Sequence, residues 1–169
     1  MNNRAMTQRI KTAKNTCGDK GKGLTEKRQR VFELLLNAAS PLSAYELTDA
    51  YNAAYSPPIK AMSVYRILDY LTSVHLTHRL NSANKYIACA NQPRCNGHAL
   101  SLFLICSVCQ KVEESSIASE FGHLLTKNSK DAGFQIHGSQ LEMSGICSYC
   151  QQSELQPVKG NSVDESTTD

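Results

Sequence analysis

Nowhere in its 169 residues does this chain approach the roughly 20 consecutive apolar residues of a membrane helix, so no span is expected. Its start, MNNRAMTQRIKTAKNTCGDKGKG, is polar and carries no apolar signal-peptide segment. The chain therefore reads as cytoplasmic, where thiols stay reduced. Seven cysteines is an odd count, which argues further against a pure disulfide framework. There is no internal repeat beyond two matched cysteine pairs. A hydrophobic fraction of 41% permits a real core but not a large one. The length fits one large domain or two small ones, and each of two halves would need a staple such as a metal or a partner chain.

The cysteine pairs are what the chain does have. FLICSVCQKVEE places Cys106 and Cys109 at C-x-x-C spacing, and GICSYC places Cys147 and Cys150 the same way. A redox C-x-x-C opens a helix after a strand, and one pair suffices. Here both pairs follow apolar, strand-like runs. Zinc takes four soft ligands in a tetrahedron, and two such knuckles supply them. A structural four-cysteine zinc site is the reading preferred over redox or inert cysteines.

Charge is uneven. Residues 1–30 carry nine Lys or Arg against two acids, and residues 151–169 one against four, within a net charge of +3. A basic start can face phosphates or can be a solvated tail, and within it MTQRIKTAKNTC can form a short helix ending at Gly18. The acidic, Ser/Thr-rich end reads as disordered. Between them, LTEKRQRVFELLLNAAS reads as a helix from near Thr25, stopped before Pro41. SAYELTDAYNAAY opens with Ser43 and Glu46 at capping-box spacing. IKAMSVYRILDYLTSVHL repeats apolar residues at the helical period, and LTHRLN and KYIAC flank the turn SAN. Three helices and a hairpin describe a winged helix-turn-helix. Strands near 100–106, 111–115 and 134–144 and a helix near 117–131 follow.

The fold expectation is thus α+β: a basic segment at 1–23, a winged-helix DNA-binding domain at 24–90, a hinge at 91–97, a zinc-stapled α/β domain at 98–155, and an acidic tail at 156–169. On the last helix of the winged unit Lys60, Ser63 and Arg66 point away from the apolar stripe, with Tyr65 beside them. Arg66 can read guanine in a major groove, and Lys60, Ser63 and Tyr65 can hold phosphates. A solvated helix face is the alternative; the hairpin and the basic start favour DNA.

The ordered set LTEKRQRVFELL, PLSAYELTDAY, SVYRILDYL, YIAC, FLICSVCQKVEES and GICSYC resembles the ferric-uptake-regulator superfamily, in its zinc-uptake-regulator branch. The resemblance covers about residues 20–150. It implies a homodimeric, zinc-responsive repressor that binds double-stranded operator DNA, acts on no small-molecule substrate, and holds two zinc ions per monomer. The four knuckle cysteines would hold structural zinc. A regulatory zinc would be held by His78, Cys89, His98 and Glu114. Tyr45 matches a family position near DNA, and Lys27 and Arg28 are expected to contact phosphates.

The residues support part of this. If Ala83 and Asn84 form a two-residue turn, residue 78 lies opposite residue 89 on one face. His98 sits eight residues before Cys106, one more than the family spacing, so Cys95 in the same linker is a competing ligand. His75, His123 and His137 read as ordinary histidines, with a further metal site at His123 and His137 the lesser alternative. Cys17 reads as a packing residue. An iron, manganese or peroxide sensor of the same superfamily is the nearest alternative function. A zinc-storage or metallochaperone protein is another, and it would need no DNA-reading helix. An enzyme would need an open metal position, which four protein ligands do not leave.

Overall fold

The computed structural model describes residues 3–19, 23–90, 100–136 and 140–154. Four helices come first: α1 Asn3–Asp19, α2 Glu26–Asn37, α3 Ala44–Ala54 and α4 Ala61–Ser73. A hairpin of β1 Thr77–Leu80 and β2 Lys85–Ala88 follows. The second half holds β3 Ser101–Cys106, β4 Val112–Ser116, α5 Ser119–Asp131, β5 Gln140–Gly145 and α6 Ser148–Glu154. The short α6 was not anticipated.

Local chemistry sets the helix starts. Thr25 occupies the N-cap position of α2 without a side-chain cap bond, and Glu26 lies in the first turn. At α3 the capping box forms in full: the Glu46 N–H donates to Ser43 Oγ at 3.2 Å, and the Ser43 N–H donates to the Glu46 carboxylate at 2.6 Å. Helix α4 buries Val64, Ile67, Leu68 and Leu71, the stripe that the helical period predicts. These meet Val31, Phe32, Leu47 and Tyr51 of α2 and α3 in one core. Burying each such side chain contributes about 1.5–3 kcal/mol against chain entropy.

Helix α1 is part of that core. Ala13 and Cys17 are fully buried and Met6 and Ile10 pack against them, a run at helical spacing. The stretch weighed as phosphate-facing or as a solvated tail is therefore packed along one face. Cys17 is the packing residue expected.

The hairpin is antiparallel, and Leu42 bridges Tyr86 as a third, minimal strand. Its register differs from the expected one. His78 pairs with Ile87 and Leu80 with Lys85, so the turn is the four residues Asn81–Asn84. Asn84, at φ 50°, takes the left-handed conformation that asparagine tolerates. Residue 78 is therefore not directly opposite residue 89. The slip is an even one, however, so Cys89 stays on the His78 face, one diagonal step further along.

The second sheet has the order β4-β3-β5, with β3–β4 antiparallel and β3–β5 parallel. Leu80 of the hairpin joins Phe103 and Ile105 of β3 in a second core, flanked by Ala83, Ile87 and Val112. The two halves thus share buried surface through the wing. The expected hinge at 91–97 and tail at 156–169 lie outside the described residues.

Candidate metal centres and nucleic-acid interface

Parallel pairing explains how distant cysteines meet. Cys106 ends β3 and pairs with Gly145 at the end of β5, so both strands deliver their knuckles to the same end of the sheet. Cys109 lies in the turn after β3, Cys147 in the turn after β5, and Cys150 on α6. The sulfurs of Cys106 and Cys150 are 3.9 Å apart and those of Cys109 and Cys147 3.7 Å. All four lie within 4.8 Å of one another. Thiolates about 2.3 Å from zinc in a tetrahedron sit about 3.8 Å apart, so the arrangement fits that ion. N–H groups of Cys109 and Cys147 pull the Cys106 thiol below its ordinary value, and burial pushes Cys150 up.

A second cluster forms where the halves meet. His78 of β1, Cys89 beyond β2 and Glu114 of β4 bring donor atoms within 4.8 Å of one another. His78 Nε2 lies 3.5 Å from the Glu114 carboxylate, and Cys89 Sγ lies 3.9 Å from it. The His78 ring packs on Phe103 at 5.0 Å between centroids. The Glu114 side chain is only 2% exposed and accepts the Ala90 N–H at 2.7 Å. A buried carboxylate beside an imidazole and a sulfur suits a borderline-soft divalent ion. Cys89 takes part in a disulfide in this structure, so its sulfur becomes a ligand only as the thiolate that reduction releases. His98 and its competitor Cys95 lie outside the described residues, as does His137. Among the described residues His123 joins no metal-competent group.

Sequence reasoning missed Arg9. From α1 its guanidinium donates to the Cys89 carbonyl and lines, with Tyr86, Ala90 and Glu114, a cleft of about 240 Å³. Burial pulls Arg9 below its ordinary value, with Glu114 acting against that. The signal was the spacing of Met6, Ile10, Ala13 and Cys17, which makes α1 a packed helix rather than a tail.

The outer face of α4 is as expected. Lys60, Ser63 and Arg66 are exposed and Tyr65 is half-buried. Tyr65 meets Tyr45 of α3 edge-on at 6.3 Å. Tyr45 and Met62, the latter not anticipated, are each 66% exposed. Lys27 is exposed. Arg28 has work inside the fold: it stacks 3.6 Å over the Tyr70 ring and donates to the Gly23 carbonyl.

A winged helix carrying this exposed face, joined to a second sheet, with one set of metal-competent side chains at that sheet's end and another where the wing meets it, is the fold of one group of regulators, and the chain belongs to it: residues 19–144 match the ferric uptake regulator family. Within that family its relatives include zinc regulators. The chain is 31% identical over 140 residues to the zinc uptake regulation protein of Escherichia coli strain K12, covering 82% of this chain and 78% of that one. A zinc uptake regulator solved with zinc and DNA superposes with a TM-score of 0.81 at 26% identity, over 89% of this chain and 98% of that one. Holo XcZur gives 0.72 at 30% identity, over 85% and 96%. No helix among the described residues is long and apolar enough to cross a membrane.

Proposed function

We propose that this chain is a zinc-responsive transcriptional repressor that binds palindromic operator DNA as a homodimer when a regulatory zinc site is filled, and so controls zinc-uptake genes. The observation that carries the reading is the His78–Cys89–Glu114 cluster, because its members come from both halves of the molecule. His78 and Cys89 belong to the wing and Glu114 to the second sheet. His98 completes a set of four. Zinc supplies a charge that draws these groups to one point. The residues then hold the DNA-binding half at one angle to the rest. Two recognition helices read a palindrome only when their separation matches the half-site spacing. Filling the site therefore shifts the population toward the binding-competent form.

The other roles follow from the same reading. Cys106, Cys109, Cys147 and Cys150 hold a structural zinc, giving two ions per chain. Arg66 reads a base, and Lys60, Ser63, Tyr65, Tyr45, Lys27 and Arg28 hold or flank the DNA. Helix α5 supports the homodimer: it has no buried residue, and Phe121 and Leu124 on it are about half exposed, beside Phe134 at 72%. An apolar face of that kind in a single chain marks an interface. The protein is a cytoplasmic regulator and not an enzyme. Four protein ligands leave no position for a reacting water.

A thiolate in the regulatory set favours zinc over iron or manganese, whose sites are harder. A storage protein would need the cysteines but not the exposed face of α4. Operator binding in a mobility-shift assay, with each divalent ion and with a chelator, tests the reading. Zinc should restore binding that the chelator removes. Equal binding with and without chelator would refute it.

A further inference from the structure

The wing is gripped at a second point that uses no metal. Strand β5 runs parallel to β3, with Glu142 paired to Phe103. Phe103 faces the core shared with Leu80, so Glu142 and, two residues before it, Gln140 lie on the face turned toward the wing. Packing alone would turn apolar residues that way. Instead β5 turns polar ones inward, while Met143 on the other face is 57% exposed.

The inward pair meets the wing turn directly. One Glu142 oxygen accepts the Asn81 N–H at 2.7 Å; the other accepts the Ser82 N–H at 2.9 Å and the Ser82 hydroxyl at 2.5 Å. Gln140 Nε2 donates to the Arg79 carbonyl and to Glu142, each at 2.8 Å. A carboxylate bridging two successive N–H groups fixes the orientation of a turn as well as its position. Burial pushes the Glu142 carboxyl up, but the Ser82 and Asn81 donors outweigh it and hold the group below its ordinary value.

We propose that Glu142 is a positioning residue that locks the wing tip to the second sheet and thereby sets how much zinc the protein needs to bind its operator. This rests on the zinc-responsive reading given above. The cluster at His78 and Cys89 grips the base of the wing and Glu142 grips its tip. With the base released, the tip contact keeps a fraction of molecules at the closed angle, and zinc binds that fraction. Apparent metal affinity scales with the competent fraction.

Glu142→Ala should raise the zinc concentration for half-maximal operator binding by roughly tenfold, the scale of a few charge-assisted hydrogen bonds exchanged for water. Ser82→Ala, which keeps both N–H contacts, should raise it only a few-fold. Operator affinity at saturating zinc and the structural zinc content should match the parent, which a general loss of structure would not allow. Amide exchange at Asn81 and Ser82, measured without DNA, should speed up in Glu142→Ala. Unchanged exchange would overturn the lock. Faster exchange with a zinc titration superimposable on the parent's would overturn its role in the metal response. Should the parent itself ignore zinc, the functional reading falls and the exchange rates alone decide the lock. Should Glu142→Ala not fold, the Ser82→Ala titration decides between the same outcomes.

Discussion

The two clusters of metal-competent side chains are built on opposite plans. The four cysteines all come from the second half, at or just beyond the ends of two strands paired in parallel, and their sulfurs approach one another within that half. His78, Cys89 and Glu114 come from both halves and meet where the wing packs on the second sheet. A site within one domain can only stabilise that domain. A site shared by two halves can couple them when it fills. The same metal would thus be a staple in one place and a switch in the other.

The largest expected effect breaks the staple. Cys147→Ser should lose the structural zinc and unfold the second half, because structural zinc contributes on the order of 10 kcal/mol in small zinc domains, more than a marginal domain retains. Sedimentation and a melting curve check this; a dimer with an unchanged transition contradicts it. A smaller effect should separate reading from sensing. Arg66→Ala touches neither cluster and should leave the zinc content unchanged, while reducing discrimination between operator and random DNA by roughly 1–3 kcal/mol. Equal loss on all sequences would make Arg66 a phosphate contact instead.

The smallest concerns acid, and it sharpens the contrast between the halves. N–H and hydroxyl donors of Ser43, then Lys85, hold the Glu46 carboxyl at about 2, against an ordinary 4.5. A depressed value stabilises the fold above the ordinary value, and that contribution disappears as the pH falls through about 2. The melting temperatures of the parent and Glu46→Gln should therefore differ near neutrality and converge as the pH drops below 4.5. The zinc-stapled half should fail at higher pH than this, since thiolates and imidazole must shed the metal to take up protons. A constant offset between parent and variant across that range would show that Glu46 acts through packing.

How much of this could be read from sequence differs between the clusters for the same reason. The cysteine knuckles are local motifs, each spanning four residues, and they met as expected. The capping box at Ser43 and the apolar stripe of α4 were equally local. The second cluster depends on a hairpin register, and the turn proved to be four residues rather than two. His78 and Cys89 remained on one face only because the slip was even. Arg9 had only the local signature of the packed helix that carries it, and Glu142 had none. Each is defined by contacts made 80 and about 60 residues away, which spacing does not encode.

The central claim is that the cluster between the halves, and not the cysteine staple, makes DNA binding depend on zinc. The direct measurement is zinc bound per chain alongside operator affinity, across a zinc titration, for Cys89→Ser and Glu114→Ala. Both variants should remain folded dimers, keep one zinc in the four-cysteine site, and lose operator binding at zinc levels where the parent binds. A variant that binds the operator like the parent at limiting zinc would contradict the claim.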